Sequence, residues 1–417
     1  MADTLAGSAH HVTDAAPDVT DTAPEFPMPR AARCPFDPPP GLKELQEQGP
    51  LTKVRLQDGS ESWLVTRYAE QRAILGDARV SADTDRPGYP TKAGSGDGEG
   101  KLSFIMMDDP EHARLRRMVT APFAIKKVEA MRPAVQRIVD GLIDEMLAGP
   151  QPVDLVEAFA LPIPSLVICE LLGVPYDDHA MFQENTKTMV RTTATPEERG
   201  VATRETAGYL AGQLAERLTE PKDDLLSSIA GRIAAGELTH GQATEMALLL
   251  LIAGHETTAN MIALGTAALL EHPDQLALLR ETDDPKLVAS AVEELLRYLH
   301  ITHQGRRRAV TEDIEIAGQV IKAGEGVIMV NEIGNRDPQV FDDPDRLDIT
   351  RDARRHVAFG FGVHQCLGQP LARMELQVVY GTLYRRIPTL KLACALEDVK
   401  FKHDAFIYGI HELPVAW

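Results

Sequence analysis

The sequence predicts an α+β fold, mainly α, with small β-sheets near both ends and one long helix through its middle. Three observations carry that expectation. Helical periodicity dominates from Pro110 to about Arg297, strand-like runs cluster before and after it, and no Ser/Pro/Gly linker cuts the middle of the 417 residues. Residues 31–417 are therefore expected to form a single domain. The first thirty residues, 1–30, are rich in Ala, Thr, Asp and Pro and read as a flexible tail.

Composition narrows the function. Lys and Arg number 43 against 62 Asp and Glu, a net charge of −19, which argues against a nucleic-acid partner. The four cysteines, Cys34, Cys169, Cys366 and Cys394, are scattered without CxxC or zinc spacing, so no disulfide framework is expected. The first basic residue, Arg30, follows Asp3, Asp14, Asp18, Asp21 and Glu25, which fits neither a secretory nor a transit peptide. The longest apolar run, Met246 to Ala253, falls well short of the ~20 residues that span a bilayer. A cytoplasmic protein without a membrane segment is expected.

Taken in order, Lys53 to Tyr68 reads as a β-hairpin with Asp58-Gly59 at its turn. Arg86 to Gly100 carries glycines at 88, 94, 96, 98 and 100 and is a loop, either a solvated insertion or a lid over a pocket. A second strand pair spans Ile314 to Val330 around Ala317-Gly318, and the tail from Asp398 to Trp417 looks extended. No internal repeat is evident.

Leu238 to Pro273 reads as a helix about 50 Å long, with Thr239 as N-cap and Pro273 as the stop. Its flanks are apolar nearly all round, which implies burial. Its centre, however, reads Ala253-Gly254-His255-Glu256-Thr257-Thr258. A helical glycine costs about 1 kcal/mol relative to alanine, and a buried unpaired carboxylate costs several times that. Small residues beside an acid and a hydroxyl suggest a dent where something small approaches the backbone, with proton carriers next to it. The alternative is a polar turn facing solvent.

The stretch FGFGVHQCLG, Phe359 to Gly368, sets a lone thiol between glycines, just before a helical stripe at 367, 371, 374, 378 and 379 that runs to Pro388. At a helix N-terminus the amides and the dipole should depress the thiol pKa of Cys366. Gly360 and Gly362 would let a bulky planar group approach closely, Phe359 would screen the sulfur, and Gly368 would keep the helix start thin. A thiolate in such a loop suits metal binding. Two rival readings are a nucleophile with His364 as base and a buried structural cysteine.

Phe359, Gly362, Cys366 and Gly368 match the F-x-x-G-x-x-x-C-x-G signature of the cytochrome P450 superfamily. Ala253 to Thr257 resembles that family's A-G-x-[DE]-T motif, and Glu294-x-x-Arg297 its E-x-x-R pair. Asn331 to Asp348 resembles the segment supplying Arg346 as a third partner. His112-x-x-x-Arg116 after Asp109-Pro110 is similar to its propionate-binding helix. These motifs occur in the family's order, and the likeness is greatest to soluble actinobacterial members.

The resemblance implies heme b (iron protoporphyrin IX) with Cys366 as the metal ligand and Phe359 beside it. Dioxygen would lie at Ala253 and Gly254, with Glu256 and Thr257 as the catalytic proton-delivery pair. His112, Arg116, Arg308 and His364 would hold the propionates, His356 being a weaker candidate, with Arg306 and Arg307 as mere neighbours. It implies hydroxylation of a large hydrophobic natural product, such as a macrolide, sterol-like or statin-type molecule. The pocket would be lined by residues 86–104 and 182–214 and by Phe406 and Ile407. No flavin or nicotinamide fingerprint appears, so electrons would come from a ferredoxin and its NAD(P)H-dependent reductase, docking on Arg114, Arg117, Arg354 and Arg355 of a monomer. The alternatives are peroxide-driven oxidation or coupling on the same fold, a heme-binding sensor without turnover, or a thiol hydrolase.

Overall fold

The computed structural model describes residues 23–31, 34–90 and 103–417. Its axis is the helix His240–Leu270, 31 residues of mostly Ala, Leu, Met and Ile. Thr239 caps it reciprocally: its hydroxyl accepts from the Gln242 amide at 3.1 Å, and the Gln242 side chain accepts from the Thr239 amide at 3.0 Å. The helix ends at Leu270, one turn earlier than expected. Pro273 instead opens the next helix, Pro273–Glu281, where a missing N–H costs nothing. By length and composition the central helix could cross a membrane, yet 78% of its most apolar window is buried inside the fold.

Helices Pro162–Leu172, Pro196–Thr219 and Gln369–Arg386 pack around it. A single apolar core runs from Phe104 to Val415, with two smaller clusters on either side of the sheet formed mainly by the first and last thirds of the chain.

That sheet has five strands in the order Leu51–Arg55, Glu61–Val65, Gly326–Met329, Arg306–Val310, Val80–Ser81. The expected hairpin pairs Val54 with Ser62, and Gly59 takes the left-handed conformation at its turn, φ 82°. Glu61–Val65 then runs parallel to Gly326–Met329, whereas the other strand pairs of the sheet, among the described residues, are antiparallel. The second hairpin, Ile314–Ile316 with Gln319–Ile321, turns on Ala317 and Gly318 at φ 48° and 74°, a two-residue turn matched to strand twist. The extended tail is tied down. Lys400–Phe401 pairs with Ile410–Glu412, and Pro414–Ala416 lies between Val153–Asp154 and Lys391–Leu392.

Two expectations need correction. Residues 23–30 are not a loose tail: Phe26 is buried and its amide donates to the Arg55 carbonyl at 2.9 Å, while Arg55 returns a bond to Pro24 at 2.8 Å. Arg30 pairs with buried Glu332 and lies 4.3 Å from the Tyr408 ring centroid. Phe26 and Arg30 together tie this stretch to the fold; residues 1–22 lie outside the described residues.

The second correction concerns Arg346. Glu294 and Arg297 form a fully buried pair at 2.7 Å, and Arg297 also donates to the carbonyls of Asn335, Pro344 and Arg346. Arg346 is exposed and contributes only that carbonyl, because its loop turns the backbone inward. The second cation on Glu294 is Arg351, at 3.3 Å.

Stability should report on the buried acids. Glu294→Ala strands the Arg297 charge in the core and should lower unfolding free energy by about 3–5 kcal/mol, read as a shifted urea midpoint. Glu375 is buried with an unpartnered oxygen, and burial pushes its pKa up to about 8 from 4.5. Between those values the native state keeps a proton that the unfolded chain releases, so this carboxyl destabilises the fold progressively as pH rises. Across that window the melting temperature of Glu375→Gln should therefore fall less with rising pH than that of the wild type.

Candidate active site and cofactor cradle

The cysteine loop is closed by its own backbone: the Cys366 amide donates to the Phe359 carbonyl at 2.8 Å. Gly360 and Gly362 both sit at φ 74°, and a Cβ on Gly362 would lie 2.2 Å from the Leu75 carbonyl oxygen. No side chain fits there. The helix Gln369–Arg386 starts just beyond, with the Gly368 amide directed at the sulfur. Open space surrounds Gly368 itself, so a thin helix start is not enforced by contacts.

Cys366 stands deep in the protein yet borders open space. Its thiol pKa is not depressed as the helix start suggested. Burial pushes it up, outweighing the Gly368 amide and the charges of Arg306, Arg116 and Arg373. A thiolate here needs a bound cation to neutralise it. The nucleophile reading weakens for the same reason. Burial, helped by Arg308, His112 and Arg116, holds the His364 pKa down at about 3, so a thiolate–imidazolium pair is disfavoured.

A cluster of unsatisfied donors lies beside the loop. His112, on helix Glu111–Thr120, has its Nδ1 2.9 Å from Asp109, which also accepts from the Ala113 amide at 3.0 Å. His112 is 1% exposed, yet its Nε2 has no partner among the described residues, and neither does Nδ1 of His364, whose ring lies 4.1 Å away. Arg116 reaches the Gln365 carbonyl at 2.6 Å. Strand alternation turns Arg306 and Arg308 to one face and Arg307 to the other.

Arg306, expected as a bystander, is more than that. It donates to the Ala358 carbonyl at 3.0 Å and acts on the Cys366 charge. Arg308 donates to the Arg307 carbonyl at 2.7 Å and neighbours Tyr89. His356 is engaged elsewhere, not with the other candidates: its Nε2 lies 3.1 Å from Glu293, which also binds Arg373 at 2.6 Å, and its Nδ1 accepts from the Ala358 amide at 3.1 Å. Arg373 in turn lies 4.6 Å from the Phe359 ring centroid.

A deep thiol facing open space, beside bare imidazole nitrogens and arginines, fits an iron porphyrin with anionic carboxylates. Cys366 would take the iron, and His112, Arg116, Arg308 and His364 the carboxylates.

On the central helix, Ala253 is exposed although most of its neighbours are buried, so an opening reaches the helix midpoint. The Thr257 hydroxyl donates to the Ala253 carbonyl at 2.7 Å. Gly254 also has a packing role that the sequence did not indicate. A Cβ there would lie 2.8 Å from Ile168, so the glycine allows close packing of helix Pro162–Leu172. His255 turns to a small cavity shared with Ser165, Cys169 and Thr186.

Glu256 is 2% exposed and is held by Asn260 Nδ2 at 3.0 Å and Lys402 Nζ at 3.6 Å. Lys402 was not found by sequence reasoning, because nothing in an exposed-looking terminal hairpin marks which lysine turns inward.

Elsewhere, Arg114 pairs with Glu111 and Arg354 with Asp352, while Arg355 donates to the Val340 carbonyl; Arg117 is exposed. The turn around Phe406 meets helix His179–Val190: the Phe406 amide donates to Val190 at 2.9 Å and the Thr192 amide to Asp404 at 2.7 Å. Of the expected pocket loop 86–104, residues 91–102 lie outside the described residues.

Comparison with known proteins agrees with this geometry. The family model described as Cytochrome P450 matches residues 212–387. Cytochrome P450 GfsF of Streptomyces halstedii is 54% identical over 405 residues, 96% of this chain and 98% of that protein. The crystal structure of GfsF superposes with a TM-score of 0.90, covering 95% of this chain and 100% of that one. Vitamin D3 dihydroxylase of Streptomyces griseolus is 47% identical over 97% of this chain and 100% of its own length. The mycinamicin VIII C21 methyl hydroxylase of Micromonospora griseorubida, solved bound to mycinamicin VIII, is 42% identical with a TM-score of 0.89, covering 94% and 100%.

His112→Ala removes one charge-assisted contact worth about 1.5–3 kcal/mol and should weaken heme retention roughly 10- to 100-fold, measured by heme transfer to an acceptor protein. Wild-type retention in that variant would remove His112 from the cradle.

Proposed function

This chain belongs to the cytochrome P450 family, and we propose that it hydroxylates a large hydrophobic natural product with electrons from a ferredoxin. It is a heme b monooxygenase. One atom of O2 enters a substrate C–H bond, and the other leaves as water with two electrons and two protons. The bound heme supplies oxygen activation and C–H oxidation.

The chain supplies position, protons and dryness. Cys366 holds the cofactor from a loop whose ends are pinned, so the sulfur cannot drift. His112, Arg116, Arg308 and His364 would hold the cofactor's carboxylates. Ala253 leaves space at the helix midpoint. Thr257 presents a hydroxyl there, and Glu256 is the nearest acid on the same helix turn, able to pass a proton from water to that hydroxyl. The observation that carries the reading is this acid–hydroxyl pair beside the open midpoint of a mostly buried helix.

The substrate class rests on kinship. Relatives are a vitamin D3 dihydroxylase and a mycinamicin VIII C21 methyl hydroxylase, which favours a macrolide or sterol-like guest. For the redox partner, Val363 in the cysteine loop is 58% exposed and Ile125 72% exposed, with Lys126 and Lys127 exposed next to Ile125 in the chain and Arg117 exposed on helix Glu111–Thr120. An apolar and basic surface suits an acidic ferredoxin, more so than Arg114 and Arg354, which are already paired. A cytoplasmic monomer is the simplest setting for such an exchange.

Macrolides and sterol-like compounds should shift the heme from low to high spin, and the tightest binder should be hydroxylated with reductant and oxygen. Thr257→Ala should keep heme and substrate binding but lower product per reductant consumed by roughly tenfold, with peroxide rising to match. Tightly coupled hydroxylation in that variant would remove Thr257 from proton delivery. Turnover with peroxide alone, and none with reductant, would overturn the monooxygenase cycle itself.

A further inference from the structure

We propose that Lys402 is a positioning residue that parks Glu256 away from Thr257 until substrate moves the C-terminal turn. The inference rests on the reading of Glu256 as a proton carrier. Glu256 and Thr257 are successive helical residues, so their side chains diverge by about 100° around the axis. In this structure the carboxylate is held by Asn260 at 3.0 Å and Lys402 at 3.6 Å, while the Thr257 hydroxyl is engaged with the Ala253 carbonyl. The acid must turn before it can serve the hydroxyl.

The Lys402 contact is longer than a hydrogen bond, so it holds charge without a tight directional lock. Both side chains are largely shielded, 10% exposed for Lys402 and 3% for Glu256, which strengthens the attraction relative to a surface pair.

Lys402 begins the turn that ends at Gly409. The Lys402 amide donates to the Gly409 carbonyl at 2.8 Å, closing the base. Gly409 lies flat on the central helix: a Cβ there would be 1.7 Å from Asn260 Oδ1. The tip is attached elsewhere. Thr192 binds Asp404, Phe406 binds Val190 and Tyr408 binds Ile301, at 2.7, 2.9 and 2.6 Å. One short segment therefore touches both the acid of the central helix and the end of helix His179–Val190. A guest that lifts Phe406 or shifts Val190 pulls on Lys402. Once released, Glu256 takes one proton from bulk solvent and passes one to the Thr257 hydroxyl, which gives up its own proton toward the open helix midpoint, so that both residues return to their starting charge.

The test measures reductant consumption with and without substrate, together with the solvent deuterium isotope effect, in heme-loaded enzyme. Lys402→Met should consume reductant roughly tenfold faster without substrate and lose most of its response to substrate. Lys402→Arg should restore the response, and Glu256→Gln in the Lys402→Met background should return consumption to the slow rate. If Glu256→Gln slows the wild type but Lys402→Met keeps the normal response, parking is overturned and the proton reading stands. If Glu256→Gln changes neither rate nor isotope effect, the proton reading falls and this inference with it. Should Lys402→Met fail to fold, structures with and without substrate decide: an unchanged Lys402–Glu256 separation overturns the proposal, and a lengthened one supports it.

Discussion

Everything at this site depends on a sulfur atom that must stay put in a place where its charged form is unwelcome. The Cys366 amide bond to the Phe359 carbonyl closes the loop, and two left-handed glycines let it turn tightly against Leu75. Burial disfavours the bare thiolate there. The same burial makes the sulfur a strong ligand once a cation compensates it, because little water competes. The reluctance of the empty loop to hold charge and its affinity for metal thus share one origin.

The surrounding architecture holds that geometry from outside. Glu294, Arg297 and Arg351 fasten the loops between Asn335 and Arg351, and Glu293 ties Arg373 and His356 behind Phe359. Arg297 and Arg351 donate to backbone carbonyls of these loops that would otherwise lack partners. Breaking one partner is costly because the other remains charged and dry.

Much of this is legible in the sequence, and the misses have physical causes. The long helix, both hairpins and the cysteine corner follow from periodicity, turn residues and spacing, all local signals. The packing contact at Gly254 escapes such a reading because a glycine records only that space is needed, not which neighbour needs it; here one such neighbour is Ile168. Arg346 and His356 escape it because short motifs fix residue types but not which way a loop turns its side chains. Lys402, Arg306 and the ordered stretch before Arg30 depend on contacts between distant parts of the chain, for which spacing carries no information. The thiol's acidity runs against expectation because the dipole is local and burial is global.

The strap ahead of Arg30 has a practical corollary for anyone preparing this protein. Arg30 covers the Tyr408 ring, and Tyr408 belongs to the same turn as Gly409 and Phe406. Trimming or tagging the amino end close to that arginine therefore loosens a contact on the same turn that carries Phe406 and Lys402.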